Sequence, residues 1–175
     1  MKTIKIFLSI LTLALSWSVS AQEWKISDTY NIAFASKDAS GVFKDFSGTI
    51  IFDEKNLGSS SMKLKIKVES INTGNGIQNK HAKSDEWFDA AKHPYINFES
   101  TKIEKTDTGF KAVGKLEIRG VKKEVSIPFT FTKKGAKGGT FVAKFSVDRT
   151  DYGVGKKGND VSETIKITAT IPVNK

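Results

Sequence analysis

The segment from Ser70 to Thr101 reads SINTGNGIQNKHAKSDEWFDAAKHPYINFEST, and it is the longest interruption in a chain that otherwise alternates apolar and polar residues. Alternation with a period of two is typical of β-strands that have one buried face. Within the interruption, Ser84 or Asp85 is predicted to cap a short helix, and Pro94 to end the segment before the next strand. The sequence therefore predicts a helical insert that covers an end or a seam of a β-sheet.

Eight stretches around this insert have the alternating pattern, and the insert falls between the third and the fourth. The third is the most regular, since Met62, Leu64, Ile66 and Val68 alternate with charged residues. A glycine at position 48, inside the second stretch, predicts a bend or bulge there. The predicted strands cover residues 24–34, 42–52, 62–68, 95–103, 110–118, 125–131, 141–147 and 165–171.

The fold class follows from the need to cover an apolar sheet face. With only one short helix available, the sheet must close on itself or fold into a two-sheet sandwich. Hairpin connections in chain order favour closure, so the sequence predicts an all-β fold: an eight-stranded antiparallel barrel with one helical insert between strands 3 and 4. A barrel of this size can enclose one small ligand.

The first 21 residues have the features of a secretory signal peptide. Two lysines precede an apolar run from Ile6 to Leu15, and small residues at 19–21 form a cleavage site before Gln22. The apolar run is shorter than the ~20 residues that a membrane-spanning helix needs. We therefore expect a signal peptide at 1–21, one domain at 22–175, and a periplasmic or secreted mature protein.

Composition argues against several classes of function. The chain has no Cys, which excludes disulfides and thiolate chemistry. Its net charge of +9 would suit nucleic acid, but the basic residues are nearly all Lys and alternate with apolar residues on strands, as on a solvated sheet face. No helix has a basic stripe, so we expect no nucleic-acid partner. The Lys-rich outside is instead suited to anionic cell-surface material, with peripheral membrane contact as one form of it.

The inward positions of the predicted barrel are rich in phenylalanine. These side chains either pack into a solid core or line a lumen that takes a long apolar chain, and the sequence alone leaves both alternatives open. Each buried methylene would contribute roughly 0.8 kcal/mol to binding. The predicted lumen residues are Phe34, Phe46, Ile50, Phe52, Phe98, Leu116, Phe129, Phe131, Phe141 and Phe145.

Three motifs follow one another along the chain. Their residues are Ser70 to Asn75 with His81, Phe88-Asp89 and Pro94 to Thr101, then Leu116 to Val121, then Asp148 to Gly153. These motifs resemble those of the YceI-like family of lipid- and polyisoprenoid-binding periplasmic proteins. The chain departs from the family pattern at Gln78-Asn79, where Arg-Asp is frequent, and at Ala82, where Leu is frequent. The resemblance implies a lipocalin-like barrel that binds an amphiphilic lipid of the polyisoprenoid or fatty acyl type.

Only two of the 28 basic residues are Arg, and both Arg119 and Arg149 lie in the family-like motifs. A guanidinium matches carboxylate or phosphate better than an ammonium does. Each Arg is therefore predicted either to tie down a loop or to hold an anionic head group at the barrel mouth. Tyr152 is a hydroxyl partner for either role, and His81 is predicted to line the entrance or to hydrogen-bond within the insert.

No catalytic or metal-binding set stands out. His81 and His93 are the only histidines, and without Cys their separation is not a metal signature. No Ser has a nucleophile-elbow context, so we expect a protein that is not an enzyme and needs no cofactor. A lipid hydrolase or isomerase therefore lacks support.

The sequence leaves two functions open. The first is an exported carrier that holds an amphiphilic lipid inside the barrel, and the second is a cell-envelope interaction module with a packed interior. Trp87-Phe88 is predicted to pack against the barrel end, with a lid or a docking patch as the alternatives. Strand edges near the insert also allow a homodimer.

Overall fold

The computed structural model describes residues 22–175, and the predicted signal peptide at 1–21 lies outside them. Within 22–175 the chain has eleven β-strands, one α-helix (α1, Gly76–Lys83), and 3₁₀ turns at Leu57–Ser59, Val68–Ser70 and Thr150–Tyr152. The strands are β1 (Glu23–Ile26), β2 (Asn31–Ala35), β3 (Ser40–Phe43), β4 (Phe46–Ile51), β5 (Ser61–Lys67), β6 (Ile71–Asn72), β7 (Tyr95–Thr106), β8 (Gly109–Ile118), β9 (Val121–Lys134), β10 (Gly138–Asp148) and β11 (Thr164–Asn174).

The sheet closes because β1 pairs with both β4 and β11. Lys25 lies opposite Asn174 and Ile26 opposite Val173, so the first and last strands complete the ring. Three pairs of short strands each occupy one strand position of the barrel, end to end: β1 with β2, β3 with β4, and β5 with β6. The eleven strands therefore form eight antiparallel ribbons in chain order. The predicted eight-stranded barrel is confirmed, and the sandwich alternative is wrong.

Local interactions explain why two predicted strands are interrupted. The chain breaks from the sheet between β3 and β4, where the Tyr30 hydroxyl donates to the Lys44 carbonyl (2.9 Å) and accepts from the Phe46 amide (3.0 Å). Between β1 and β2 the Ser27 amide still donates to the Pro172 carbonyl of β11 (2.9 Å). The phenol and the β11 carbonyl thus satisfy backbone groups that the ladder would otherwise pair.

The glycine at position 48 has a different role from the predicted bulge. Pairing of β4 with β5 is regular through Gly48, and the register shift lies in β7, between Ser100 and Lys102. Gly48 has a φ of 149°, and a Cβ there would lie 2.1 Å from the Lys63 carbonyl oxygen. Glycine is therefore needed for close approach of two strands, and the bulge prediction is wrong at this position.

The helix of the insert begins earlier than predicted. α1 follows Asn75, whose side-chain oxygen accepts hydrogen bonds from the amides of Ile77 (2.9 Å) and Gln78 (3.2 Å). Ser84 lies at the C-terminal end of α1. The prediction that Ser84 or Asp85 caps its start is wrong, because an amide side chain supplies the same capping oxygen upstream. The described residues, 22–175, include no helix both long and apolar enough to cross a membrane.

One end of the barrel is closed by packed aromatic rings. Phe52 is 1% exposed, and its ring lies 5.0–5.6 Å from those of Phe110, Phe129, Phe131 and Phe141. The Trp24 indole donates to the Phe52 carbonyl (2.9 Å) and its ring lies 5.1 Å from that of Phe131. We call these six residues the aromatic plug. The insert lies at the opposite end of the barrel.

Candidate functional site

Two cavities occupy the barrel between the aromatic plug and the insert. The upper cavity, beside α1, has a volume of about 510 Å³, and the lower cavity, next to the plug, has about 110 Å³. The upper volume lies in the range of small-molecule sites. The cavities abut across a ring of shared wall residues, the girdle, so an extended chain entering from the mouth meets the lower cavity behind the upper one. The girdle consists of Ile32, Ile66, Ile96, Leu116, Phe145 and Ile167.

Eight of the ten predicted lumen residues lie on the cavity walls. Phe34 lines the upper cavity, Leu116 and Phe145 line both, and the lower cavity is walled entirely by apolar side chains that include Phe46, Ile50, Phe98, Phe129 and Phe141. Phe52 and Phe131 line neither cavity. Their rings face the same interior but lie deeper, in the aromatic plug, so they close the lumen and do not wall it.

Three segments of the chain, one of them helical, form the mouth of the upper cavity. They are α1 with the turn after it, the turn between β2 and β3, and the loop at 149–162. His81 lies on this wall, one of the two positions that the sequence left open for it, and its ring lies 5.5 Å from that of Trp87. Trp87 and Phe88 are half-buried against the barrel end, where Phe88 makes an edge contact with Phe43 at 6.2 Å. The insert thus covers part of the open end, as the sequence indicated.

Arg149 holds the 149–162 loop in place. Its side chain is buried and donates to the carbonyls of Val154 (2.7 Å), Val161 (2.6 Å), Ser162 (3.2 Å) and Lys156 (3.2 Å), and to the Asn159 side chain. These bonds engage all five N–H groups of the guanidinium. Arg149 lines the upper cavity, but of its two predicted roles the hydrogen bonds match the loop anchor.

Arg119 links the two mouth segments that lie on either side of it. It donates to the Asp85 carbonyl (2.6 Å), after α1, and to the Gly153 carbonyl in the 149–162 loop. Arg119 and Gly120 both have positive φ, 50° and 75°, as in the tight turns that connect hairpin strands. Arg119 is not on the wall of either cavity. Its contacts are those of a structural link.

Tyr152 packs below the mouth and also lines neither cavity. It is 3% exposed, and the Lys123 ammonium lies 5.8 Å from its ring. Burial, and to a lesser extent the nearby Asp151 carboxylate, raises the pKa of the Tyr152 hydroxyl. The 3₁₀ turn directs the side chain into the core, so Tyr152 is part of the packing under the loop.

Several wall residues were not singled out from the sequence. Asp38, Glu86 and Asp160 line the mouth of the upper cavity, one on each of the three segments. They are exposed loop residues with no spacing pattern, so no local signal distinguishes them from other surface carboxylates. The four girdle isoleucines, by contrast, lie on inward strand positions that the alternation already indicated. Among residues 22–175 no three His, Asp or Glu side chains are grouped as a metal site.

Replacement of Asp148 by Asn is expected to destabilise the protein more at neutral than at acidic pH. The Thr150 hydroxyl (2.6 Å) and then the Thr150 amide (2.8 Å) donate to the Asp148 carboxylate and hold its pKa below the ordinary value. The folded state therefore binds this proton less readily than the unfolded chain. The stabilisation is present above the unfolded pKa of about 3.9 and is lost as the pH falls through the folded pKa.

Urea unfolding of both proteins at neutral pH and at about pH 3 measures this difference. Asp107→Asn is the matched control, since Asp107 is an exposed carboxylate on the turn between β7 and β8. A gap between wild type and Asp148→Asn that stays constant across the pH range would contradict the assignment.

Comparison with known proteins agrees with this architecture. A family model described as a YceI-like domain matches residues 17–173. A UPF0312 protein of Yersinia enterocolitica is 35% identical over 95 residues, and one of Yersinia pestis is 33% identical over the same length. These alignments cover 54% of this chain, and the chain spans about half the length of these curated relatives.

Solved structures have the same fold. BcnA of Burkholderia cenocepacia superposes with a TM-score of 0.78 at 26% identity, over 82% of this chain and 95% of its own. The YCEI protein of Campylobacter jejuni gives a TM-score of 0.71 at 27% identity, over 81% and 87%. A polyisoprenoid binding domain of Saccharophagus degradans gives 0.66 at 15% identity, over 86% and 97%, which shows the fold alone. Because the family model extends over nearly the whole barrel, the chain belongs to the YceI-like family.

Proposed function

We propose that this protein is an exported, non-enzymatic carrier that holds one amphiphilic lipid, of the polyisoprenoid or fatty acyl type, with its tail in the two cavities and its polar end at the mouth. The main observation is the pair of abutting apolar cavities, about 510 and 110 Å³, behind a single mouth. A lower cavity walled only by apolar side chains has no partner for a polar group, so it suits the end of a hydrocarbon tail.

The energetics support a tail as the main source of affinity. Each methylene that moves from water into the cavities contributes roughly 0.8 kcal/mol, so a tail of about ten carbons offers about 8 kcal/mol before the losses of association. Because those losses must be subtracted, a tail of this length alone binds more weakly than the micromolar Kd to which a net gain of about 8 kcal/mol would correspond, and a longer tail binds more tightly. The alternative, an envelope interaction module with a packed interior, does not use these cavities, and they therefore favour the carrier.

The family and the N-terminus add support. Membership of the YceI-like family, and the fold shared with a protein described as a polyisoprenoid binding domain, agree with lipid binding. Residues 1–21 have the charged start, apolar run and small-residue cleavage site of a signal peptide, so we place the mature protein in the periplasm or outside the cell. A carrier that shelters a hydrocarbon tail from water is useful in such an aqueous compartment.

Native mass spectrometry of the full chain, expressed in its own host and purified without detergent, tests the proposal. We expect a population heavier than the mature chain by the mass of one lipid, which organic extraction removes. An apo mass alone after gentle handling, together with failure of the protein to bind an apolar fluorescent probe, would contradict it. Comparison of the observed mass with the sequence also shows whether residues 1–21 have been removed.

A further inference from the structure

The charged side chains on the wall of the upper cavity are mostly acidic, although the chain as a whole is basic. The ionised side chains on the wall of the upper cavity are those of Asp38, Glu86, Asp160 and Arg149, a formal charge of −2 in a chain of net +9. Lys80 and Lys83 of α1 and the two lysines of the 149–162 loop are not on this wall. A ligand head group at the mouth therefore meets carboxylates at closer range than ammonium groups.

Arg149, the one cationic side chain on this wall, has no free N–H group for a ligand. All five N–H groups of Arg149 are engaged by carbonyls of the 149–162 loop and by Asn159, and its planar group stacks 5.1 Å from the centre of the Trp87 ring. A phosphate or carboxylate could bind Arg149 only by breaking these bonds. The arginine thus gives an anion no bidentate site.

The three carboxylates, in contrast, can still accept hydrogen bonds from a ligand. Within residues 22–175 neither Glu86 nor Asp160 has an ammonium or guanidinium partner within 4.0 Å, and both are exposed at the mouth. Asp38 is oriented by the Ser162 amide (3.1 Å) and hydroxyl (2.6 Å), and this hydroxyl lowers the pKa of Asp38, with a smaller contribution from Lys37. Three ionised acceptors therefore face the entrance to an apolar cavity.

The head groups that suit these acceptors are hydrogen-bond donors. A cationic amine, an alcohol or an amide can donate to a carboxylate, whereas a phosphate or a second carboxylate would be repelled by it. The Trp87 side chain lies on the same wall, but its indole Nε1 is buried and gives a ligand in the cavity no accessible donor.

We propose that the acidic mouth selects amphiphiles by the charge of the head group, taking those whose polar end is cationic or a neutral hydrogen-bond donor, and disfavouring those that end in carboxylate or phosphate. This selection rests on the proposed function, because it requires that the tail occupy the cavities. Asp38, Glu86 and Asp160 set the selectivity.

Displacement of N-phenyl-1-naphthylamine, a neutral fluorescent probe, from the mature protein tests the selection at neutral pH. The four competitors each have twelve carbons in one unbranched chain and differ in the head: dodecylamine, dodecanol, dodecanoate and dodecyl phosphate. Each is used below its solubility limit or critical micelle concentration. We expect the amine and the alcohol to have a Kd at least about tenfold lower than that of either anion, as expected for charges a few ångströms apart near a protein surface.

The triple variant Asp38→Asn, Glu86→Gln, Asp160→Asn is expected to abolish most of this difference. Amide side chains keep the size of the originals, and the Asn at 38 still accepts from Ser162. The control variant Asp28→Asn, Asp107→Asn, Glu124→Gln changes the net charge equally at exposed positions away from the mouth and should keep the wild-type selectivity.

The outcomes separate the two proposals. If the probe does not bind and none of the four amphiphiles protects the fold against heat, the carrier function itself fails. If all four bind with equal affinity, or the anions bind more tightly, lipid binding stands and the charge selection is overturned. Selectivity that survives in the triple variant, or disappears in the control variant, overturns its assignment to these three carboxylates.

Discussion

Replacement of Ile167 by Trp is expected to raise the Kd for a long-chain amphiphile by about a hundredfold or more and to leave the barrel folded. Ile167 is half-buried in the girdle, opposite Phe145 of β10, and its side chain lines both cavities. An indole at this position would fill the passage between the cavities. A tail shortened by about four methylenes loses about 3 kcal/mol of transfer free energy, which corresponds to more than a hundredfold in Kd.

Probe displacement by dodecanol and by a shorter alcohol measures this effect. The shorter alcohol, whose tail ends in the upper cavity, should lose much less affinity than dodecanol. Thr168→Trp is the matched control, because Thr168 is the next residue of β11 and lies on neither cavity wall. Equal loss for the two alcohols in Ile167→Trp, or an equal effect of Thr168→Trp, would show that the girdle is not the path of the tail.

The alternation of the sequence, together with hairpin connections in chain order, predicted the barrel, but not the position of each residue along its axis. Phe46 and Phe52 lie on the same predicted face of the second ribbon, yet Phe46 lines the lower cavity and Phe52 is in the aromatic plug. The depth of a side chain along the barrel axis depends on the tilt and stagger of the strands, and the alternation of residues gives no information on either. The sequence therefore predicted which side chains face inward, and left open which of them surround space.

The mouth was harder to predict because it is assembled from distant loops. Asp38, Glu86 and Asp160 come to the wall of one cavity only after the barrel closes, and none belongs to a motif. The role of Arg149 had a similar limit. Its hydrogen-bond acceptors are mostly backbone carbonyls. Every residue has such a carbonyl, so the sequence does not indicate which residues Arg149 bonds to. The choice of Arg in a Lys-rich chain and its place in a family-like motif were the signals, and they allowed two roles.

Replacement of Arg149 by Met is expected to lower the free energy of unfolding by about 3–5 kcal/mol, the range for loss of a buried hydrogen-bond network. Met has a similar apolar stem but no donor, so the carbonyls of Val154, Val161 and Ser162 would lose their partner. Residue 154 is buried, and water cannot replace the guanidinium there without opening the loop. Urea unfolding followed by tryptophan fluorescence measures the loss, and Trp87, stacked on Arg149, reports on the loop directly.

Arg149→Lys distinguishes the hydrogen bonds from the charge. An ammonium keeps the positive charge but has three donors on one atom, so it cannot reach carbonyls on opposite sides of the loop. We therefore expect Lys to recover only a minor part of the stability lost in Arg149→Met. Affinity for dodecanol should fall in both variants in proportion to the loosening of the loop, because the loop forms part of the upper wall. If Arg149→Met instead unfolds at the wild-type urea concentration and selectively loses dodecyl phosphate binding, Arg149 is a head-group ligand and the loop is held by other contacts.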